Sequence, residues 1–254
     1  MATLFPLTIL AAGGLLFAFE QATVAGKVIL GVLVVGSIFS WSVMITKMRV
    51  VQFARKQTER FRAAFRKDRQ PLRLFESHAR FPGSPLFNVY QAGCQEMTFH
   101  LLGSAEVDET FRARLDTADK ITPAQMGAVN AAMDRAVGET ALQIESQMIL
   151  LATAVSGAPF LGLLGTVWGV MDAFSDVAVA GSANLTTLAP GVSGALITTV
   201  TALCVAIPAM FGYNFLVTSI RAIIVEMDNF AAELASEFEH KYVDHSARTQ
   251  EVGR

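Results

Sequence analysis

The chain has 254 residues, of which 52% are hydrophobic and 17% charged, and its mean hydropathy is +0.44. Soluble domains typically carry about 25% charged residues, so this composition excludes a disordered or fibrous chain and argues against a purely soluble one. A formal net charge of −2 nominates no nucleic-acid partner. Two cysteines, Cys94 and Cys204, are too few for a disulfide scaffold or a cysteine-built metal site.

The first element in chain order is an apolar run over residues 3–19, interrupted by Pro6 and the Gly13-Gly14 pair. No basic residue precedes it, as a signal peptide requires. At about 17 residues it sits at the short limit for crossing a bilayer. Segment 1–27 is therefore read as a periplasmic stretch with a helix lying at the membrane surface, a fourth span being the alternative. From Val28 to Ile45 the chain is apolar and bracketed by Lys27 and by Lys47 and Arg49, which predicts a first transmembrane helix over 28–46.

Residues 47–147 are predicted to be a cytoplasmic helical region. Its first part, 47–80, holds eleven Lys and Arg against three acids, a topology signal near anionic lipid. Phe53, Phe61 and Phe65 recur within it near helical spacing and mark a packed helix face. Residues 68–90, with Pro71, Pro82, Gly83 and Pro85, are expected to form a loop. Thr122-Pro123-Ala124-Gln125 is a helix start, with a capping threonine, proline at the first helical position and glutamine at the capping-box position. The stripe Met126, Val129, Met133, Val137, Ile144 and Met148 then predicts one helix rising directly into the next span.

The charge pattern locates the remaining spans. Between Arg135 and Arg221 lie 85 residues without Lys or Arg, where an even distribution would place about seven. From Asp176 to Arg221 no charge of either sign occurs. Two spans fit this region, over 148–174 and 188–220, joined by a periplasmic turn over 175–187. Past Arg221, the stripe Ile223, Met227, Phe230, Leu234, Phe238 and Tyr242 predicts that the third span continues as a helix into a cytoplasmic tail, 221–254. An apolar stripe there needs partners, either within its own subunit or on neighbouring copies. Together these elements predict an all-α membrane protein of three transmembrane helices with long cytoplasmic extensions. The Lys/Arg asymmetry puts the N-terminus in the periplasm and the C-terminus in the cytoplasm. An impermeant thiol reagent should accordingly reach a cysteine placed at Ser182 and miss Cys94.

Three features of the spans bear on function. Gly162, Gly165 and Gly169 in the second span and Gly191 in the third suit close helix approach in lipid, with packing inside one subunit and packing between copies both open. Pro190 and Pro208 are candidate kinks. Thr166, Ser193, Thr198, Thr199 and Thr201 add a hydroxyl cluster, which either bonds back to its own turns or lines a wet path. No carboxylate lies deep in the spans, Asp172 and Asp176 falling at the outer end of the second. If protons cross here, the titrating group comes from another protein. Gly191-Val192-Ser193-Gly194 has the form of a rhomboid-type protease motif. All four histidines fall outside the spans, so no base reaches Ser193, and no Walker motif is present. Neither enzyme activity nor a cofactor or metal is expected.

A resemblance enters at Ala158-Pro159-Phe160-Leu161-Gly162-Leu163-Leu164-Gly165-Thr166-Val167-Trp168-Gly169-Val170-Met171. This stretch resembles the second-span signature of the TolQ/ExbB proteins. So do Asn184-Leu185, Leu188-Ala189-Pro190-Gly191 and Ala206-Ile207-Pro208-Ala209. Ser40-Trp41 with Lys47 and Arg49 matches the family's first span, and Tyr90-Gln91-Ala92-Gly93 resembles a cytoplasmic motif of the TolQ branch. The similarity covers about residues 27–240. On these residues the chain is identified as a member of the MotA/TolQ/ExbB proton channel family.

The resemblance implies an inner-membrane subunit that assembles as a homopentamer around a central pore. That pore holds a dimer of a single-span ExbD/TolR-like partner whose membrane Asp carries the proton. It further implies contact with membrane lipids and a TonB/TolA-like third protein, and conversion of proton motive force into work at the periplasm or outer membrane. The family's pore-facing threonines match Thr166 and Thr199. One position departs: where TolQ and ExbB read A-P-G-I-A-E-A, this chain has Gly194 in place of the Glu. A non-conducting scaffold of the same fold is therefore the alternative, and the choice among TolQ, ExbB and a specialised motor branch stays open. Gly194→Glu is expected to be tolerated if the path is otherwise ordinary.

Overall fold

The computed structural model describes residues 18–67, 70–105, 107–108, 110–181 and 185–244, without the side chains of 186 and 187. The surface-helix reading of residues 3–17, the family residue Asn184, Ser182, Arg69 and the tail from His245 onward lie outside these. Among the described residues every regular element is helical: α1 (Val24–Phe65), α2 (Arg73–Glu76), α3 (Pro85–Leu102), α4 (Phe111–Thr117), α5 (Pro123–Glu145), α6 (Met148–Ala180) and α7 (Leu185–Tyr242). Helices α1, α6 and α7 are each long and apolar enough to cross a membrane. The 58 residues of α7 make a helix of about 87 Å at 1.5 Å per residue. It runs without interruption through Pro190 and Pro208, which a membrane helix tolerates when neighbours satisfy the freed carbonyls.

The chain divides into two compact units. One draws its described residues from 18–47 and 147–215. Its core is Ile29 and Leu33 from α1, Ala158 from α6, and Ala202, Val205 and Ala206 from α7. Outside this narrow seam the helices present large apolar side chains outward, among them Ile38, Phe39, Phe160, Leu163, Val167 and Phe211. In water this would be untenable; in lipid it is the expected surface.

The second unit draws on 48–146 and 216–244. Met126, Val129, Met133, Val137 and Ile144 of α5 are buried, as are Ile223, Met227, Phe230, Leu234, Phe238 and Tyr242 of α7. Both stripes thus find partners within their own chain. Phe61 is fully buried with the rings of Phe65, Phe81, Phe87, Tyr90 and Phe230 around it at centroid distances of 5.4–5.9 Å. Tyr90 donates to the Pro71 carbonyl (2.7 Å) and accepts from the Phe75 N–H (2.9 Å), fixing the α1–α3 connection. Burial pushes the phenol of Tyr90 and the thiol of Cys94 well above their ordinary values. The end of α7 is tied down by a parallel bridge: the Ile121 N–H donates to Tyr242 O (2.9 Å) and the Asp244 N–H to Ile121 O (3.0 Å).

Several expectations are corrected at their edges. The capping box of α5 forms as read, Thr122 accepting from the Gln125 N–H (3.3 Å) and the Gln125 side chain from the Thr122 N–H (2.8 Å). The helix does not continue into the second span: Ser146 and Gln147 break it, and Gln147 adopts φ +66. Residues 85–90 are helical, because Pro85 occupies the first position of α3 and Ser84 caps it by accepting from the Phe87 N–H. Phe53 is half-exposed, its ring lying against Gly83, whose φ of +79 has no room for a Cβ. Helix α6 continues through Ser175–Ala180, six residues of the expected turn. Cys94 has no exposed surface, so its silence toward a thiol reagent reports burial whichever side of the membrane it occupies.

Candidate functional site

Helices α6 and α7 run antiparallel and interlock through small residues. A Cβ on Gly162 would lie 2.5 Å from Ala202 Cβ and 3.1 Å from Thr199 Cα. One on Gly165 would lie 2.5 Å from Thr198 Oγ1, one on Gly169 2.7 Å from Ala195 Cβ, and one on Gly191 2.8 Å from Ala173 Cβ. Each glycine is a notch that receives a side chain of the other helix. Gly157, on the same helix, faces open space. Among these residues the packing is within one chain.

Close approach of the backbones brings the threonines together. The Gly162 carbonyl lies within hydrogen-bond reach of three hydroxyls, Thr166 Oγ1 (3.0 Å), Thr198 Oγ1 (3.1 Å) and Thr199 Oγ1 (3.1 Å). Thr198 Oγ1 also reaches the Ala195 carbonyl at 2.7 Å. The hydroxyls of Thr166 and Thr199 are hydrogen-bonded directly to each other, and either can donate. Each hydroxyl carries one proton and two acceptor lone pairs. The pair can therefore hold its proton in either direction, with the Gly162 carbonyl as the second acceptor. Thr198 is fully buried, whereas Thr166 and Thr199 keep partial exposure. The pair can thus offer hydrogen bonds to a group arriving from outside the chain.

The other sequence candidates take different places. Ser193 is half-buried and contributes to none of these hydrogen bonds. Asp172 is half-buried and Asp176 exposed, three and seven residues beyond Gly169. Among the described residues no group of His, Cys, Asp and Glu is placed to hold a metal. Sequence reasoning missed two features. One is the Gly162 carbonyl as the shared acceptor, for which the four-residue step from Gly162 to Thr166 was the available signal. The other is at Gly194, where a Cβ would lie 2.8 Å from the Cα and N of Ala22 and from the carbonyl carbon of Gln21. Main chain occupies the space that a side chain at 194 would need. The expected tolerance of Gly194→Glu assumed room that is absent.

A family model described as the MotA/TolQ/ExbB proton channel family matches residues 103–229. The chain is similar to the Tol-Pal system protein TolQ of Haemophilus influenzae, 30% identical over 218 residues, which is 86% of this chain and 90% of that protein. It is 29% identical over 198 residues to the TolQ of Pseudomonas aeruginosa, covering 77% and 79% of the two chains. It is 42% identical over 106 residues to the biopolymer transport protein ExbB of Xanthomonas campestris pv. campestris, 42% of each chain.

Proposed function

Because the chain belongs to the MotA/TolQ/ExbB proton channel family, we propose that it is a stator-type subunit that couples proton motive force to work at the periplasm or outer membrane. It is an inner-membrane protein with three apolar spanning helices. In this reading five copies surround a pore that holds a dimer of an ExbD/TolR-like single-span partner. The N-terminus is periplasmic, the C-terminus is cytoplasmic, and a TonB/TolA-like protein receives the work. The orientation rests on the eleven basic residues of 47–80.

The observation that supports conduction most directly is the Thr166–Thr199 hydroxyl pair, half-buried at the seam of two membrane helices. A proton-carrying carboxylate leaving water needs hydrogen-bond partners, since burying it unpaired costs several kcal/mol. The pair offers both donor and acceptor where the chain itself has no deep carboxylate. Thr166, Thr198, Thr199 and Ser193 are the path residues of this proposal, and Gly162, Gly165, Gly169, Gly191, Pro190 and Pro208 its packing residues.

The experiment is co-expression with a single-span partner bearing one membrane Asp, followed by proton flux in proteoliposomes. Thr199→Val keeps the side-chain shape and removes the hydroxyl. Flux should fall at least about tenfold, with partner binding retained, for loss of one to two hydrogen bonds to a charged group. Full flux in both Thr199→Val and Thr166→Val would leave the threonines as packing groups. A second reading, a non-conducting scaffold, rests on one position: Gly194 stands where the family resemblance implies a Glu.

A further inference from the structure

Residues just before α1 are folded onto α7 rather than trailing from it. Helical turn 18–20 leads into a bend closed by the Ala22 N–H donating to Phe19 O (3.3 Å). Lys27 Nζ reaches back to the Glu20 carbonyl (3.2 Å), and Thr23 Oγ1 caps the start of α1 by accepting from the Gly26 N–H (3.2 Å). Ala18 and Ala22 are buried, at 6% and 5% exposure. The bend meets α7 at Gly194, main chain against main chain. A Cβ on Gly26 would stand 3.8 Å from Thr198 Cγ2, four residues further along α7. The bend therefore lies over Gly194 and the first turn of α1 over Thr198, which α6 covers from the other side at Gly165 and which has no exposed surface.

We propose that residues 18–27 form a strap over the hydroxyl cluster, that Gly194 is the notch in α7 that seats it, and that its seating excludes water from Thr198. The main-chain contact at Gly194 carries this. No side chain can be added there without moving the strap or α7, whereas the strap's own closing bond, from exposed Lys27, is weak and reversible. Gly194 is a positioning residue. The strap itself does not depend on the conducting role assigned above; only its effect on proton flux does.

The test uses the full-length protein in nanodiscs with Cys204→Ser and Thr198→Cys, and a small methanethiosulfonate reagent as probe. With the strap seated, Cys at 198 should react slowly. Adding Gly194→Ala, whose Cβ meets Ala22 and Gln21, should raise the rate about tenfold or more, the factor that follows from an overpacking cost of about 1.4 kcal/mol. Gly157→Ala, in open space, should leave the rate unchanged. Lys27→Met, which loosens the strap without touching α7, should raise it severalfold and serves if Gly194→Ala fails to fold. An unchanged rate in Gly194→Ala or in Lys27→Met, or an equal rise in Gly157→Ala, overturns the strap. Proton flux measured with the partner on Gly194→Ala and Lys27→Met with Thr198 intact separates the two readings. Faster labelling with flux unaltered upholds the strap and counts against the hydroxyl path.

Discussion

Replacing Gly162 by alanine tests the interlock of α6 and α7 with an internal control. Alanine gains about 1 kcal/mol over glycine in a helix interior wherever its methyl fits. At Gly157 nothing lies within 4 Å of the new Cβ, so Gly157→Ala should be neutral or stabilising by up to about 1 kcal/mol. At Gly162 the same methyl would stand 2.5 Å from Ala202 Cβ, whereas carbons make optimal contact at about 3.5–4.0 Å. The helices must part by about 1 Å, enough to forfeit a quarter to a half of each contact along the seam. The Thr198 and Thr199 hydroxyls, each 3.1 Å from the Gly162 carbonyl, would then pass beyond hydrogen-bond reach, at about 0.6 kcal/mol apiece in a membrane. With an overpacking cost of about 1–3 kcal/mol, Gly162→Ala should be net destabilising by about 1–3 kcal/mol. The assay is reversible unfolding in mixed micelles, following the helical signal against denaturing detergent for both variants. A Gly162→Ala protein as stable as Gly157→Ala would refute the reasoning.

Gln147→Gly should stabilise the chain by about 1 kcal/mol, because Gln147 holds φ +66, a left-handed conformation that costs a residue with a side chain about 1–2 kcal/mol; an unchanged midpoint in the same unfolding assay would count against a strained junction. Burial raises the Tyr242 phenol to about 12 from 10. Its contribution to stability is therefore complete below pH 10 and lost as pH rises from 10 toward 12, so Tyr242→Phe should move the alkaline unfolding midpoint upward. Cys94 is buried with its thiol pushed up; it should resist maleimide from pH 7 to 9 until denaturant is added, and sidedness is better read from Asp119→Cys, at an exposed loop position.

The spans were legible because absence of charge over long stretches has few causes other than lipid. The buried stripes of α5 and α7 were legible because helical period alone marks the inward face. The break at Gln147 was hidden for the same reason: Ile144 and Met148 stay in phase across it, and neither neighbour is Gly or Pro. Pro85 misled in the opposite way, since a proline that ends one element equally starts the next. At the site, the sequence supplied the glycines and threonines but not which glycine faces which threonine. Gly157 and Gly162 look alike in one dimension, and only the second meets α7. Gly194 was least legible, because its neighbour Ala22 is far away in sequence and contributes main chain, which carries no compositional signal.

The notches of α6 are filled from within, by Ala202, Thr198 and Ala195 of the same chain. What α6 leaves outward is Phe160, Leu163, Val167 and Phe174, large apolar side chains, with Gly157 unfilled beside them. Against α7, by contrast, α6 is keyed like a ratchet. The interlocked packing of the membrane unit lies within the chain. A shear along α6 and α7 must lift Ala202, Thr198 and Ala195 out of their notches before the threonine seam is disturbed.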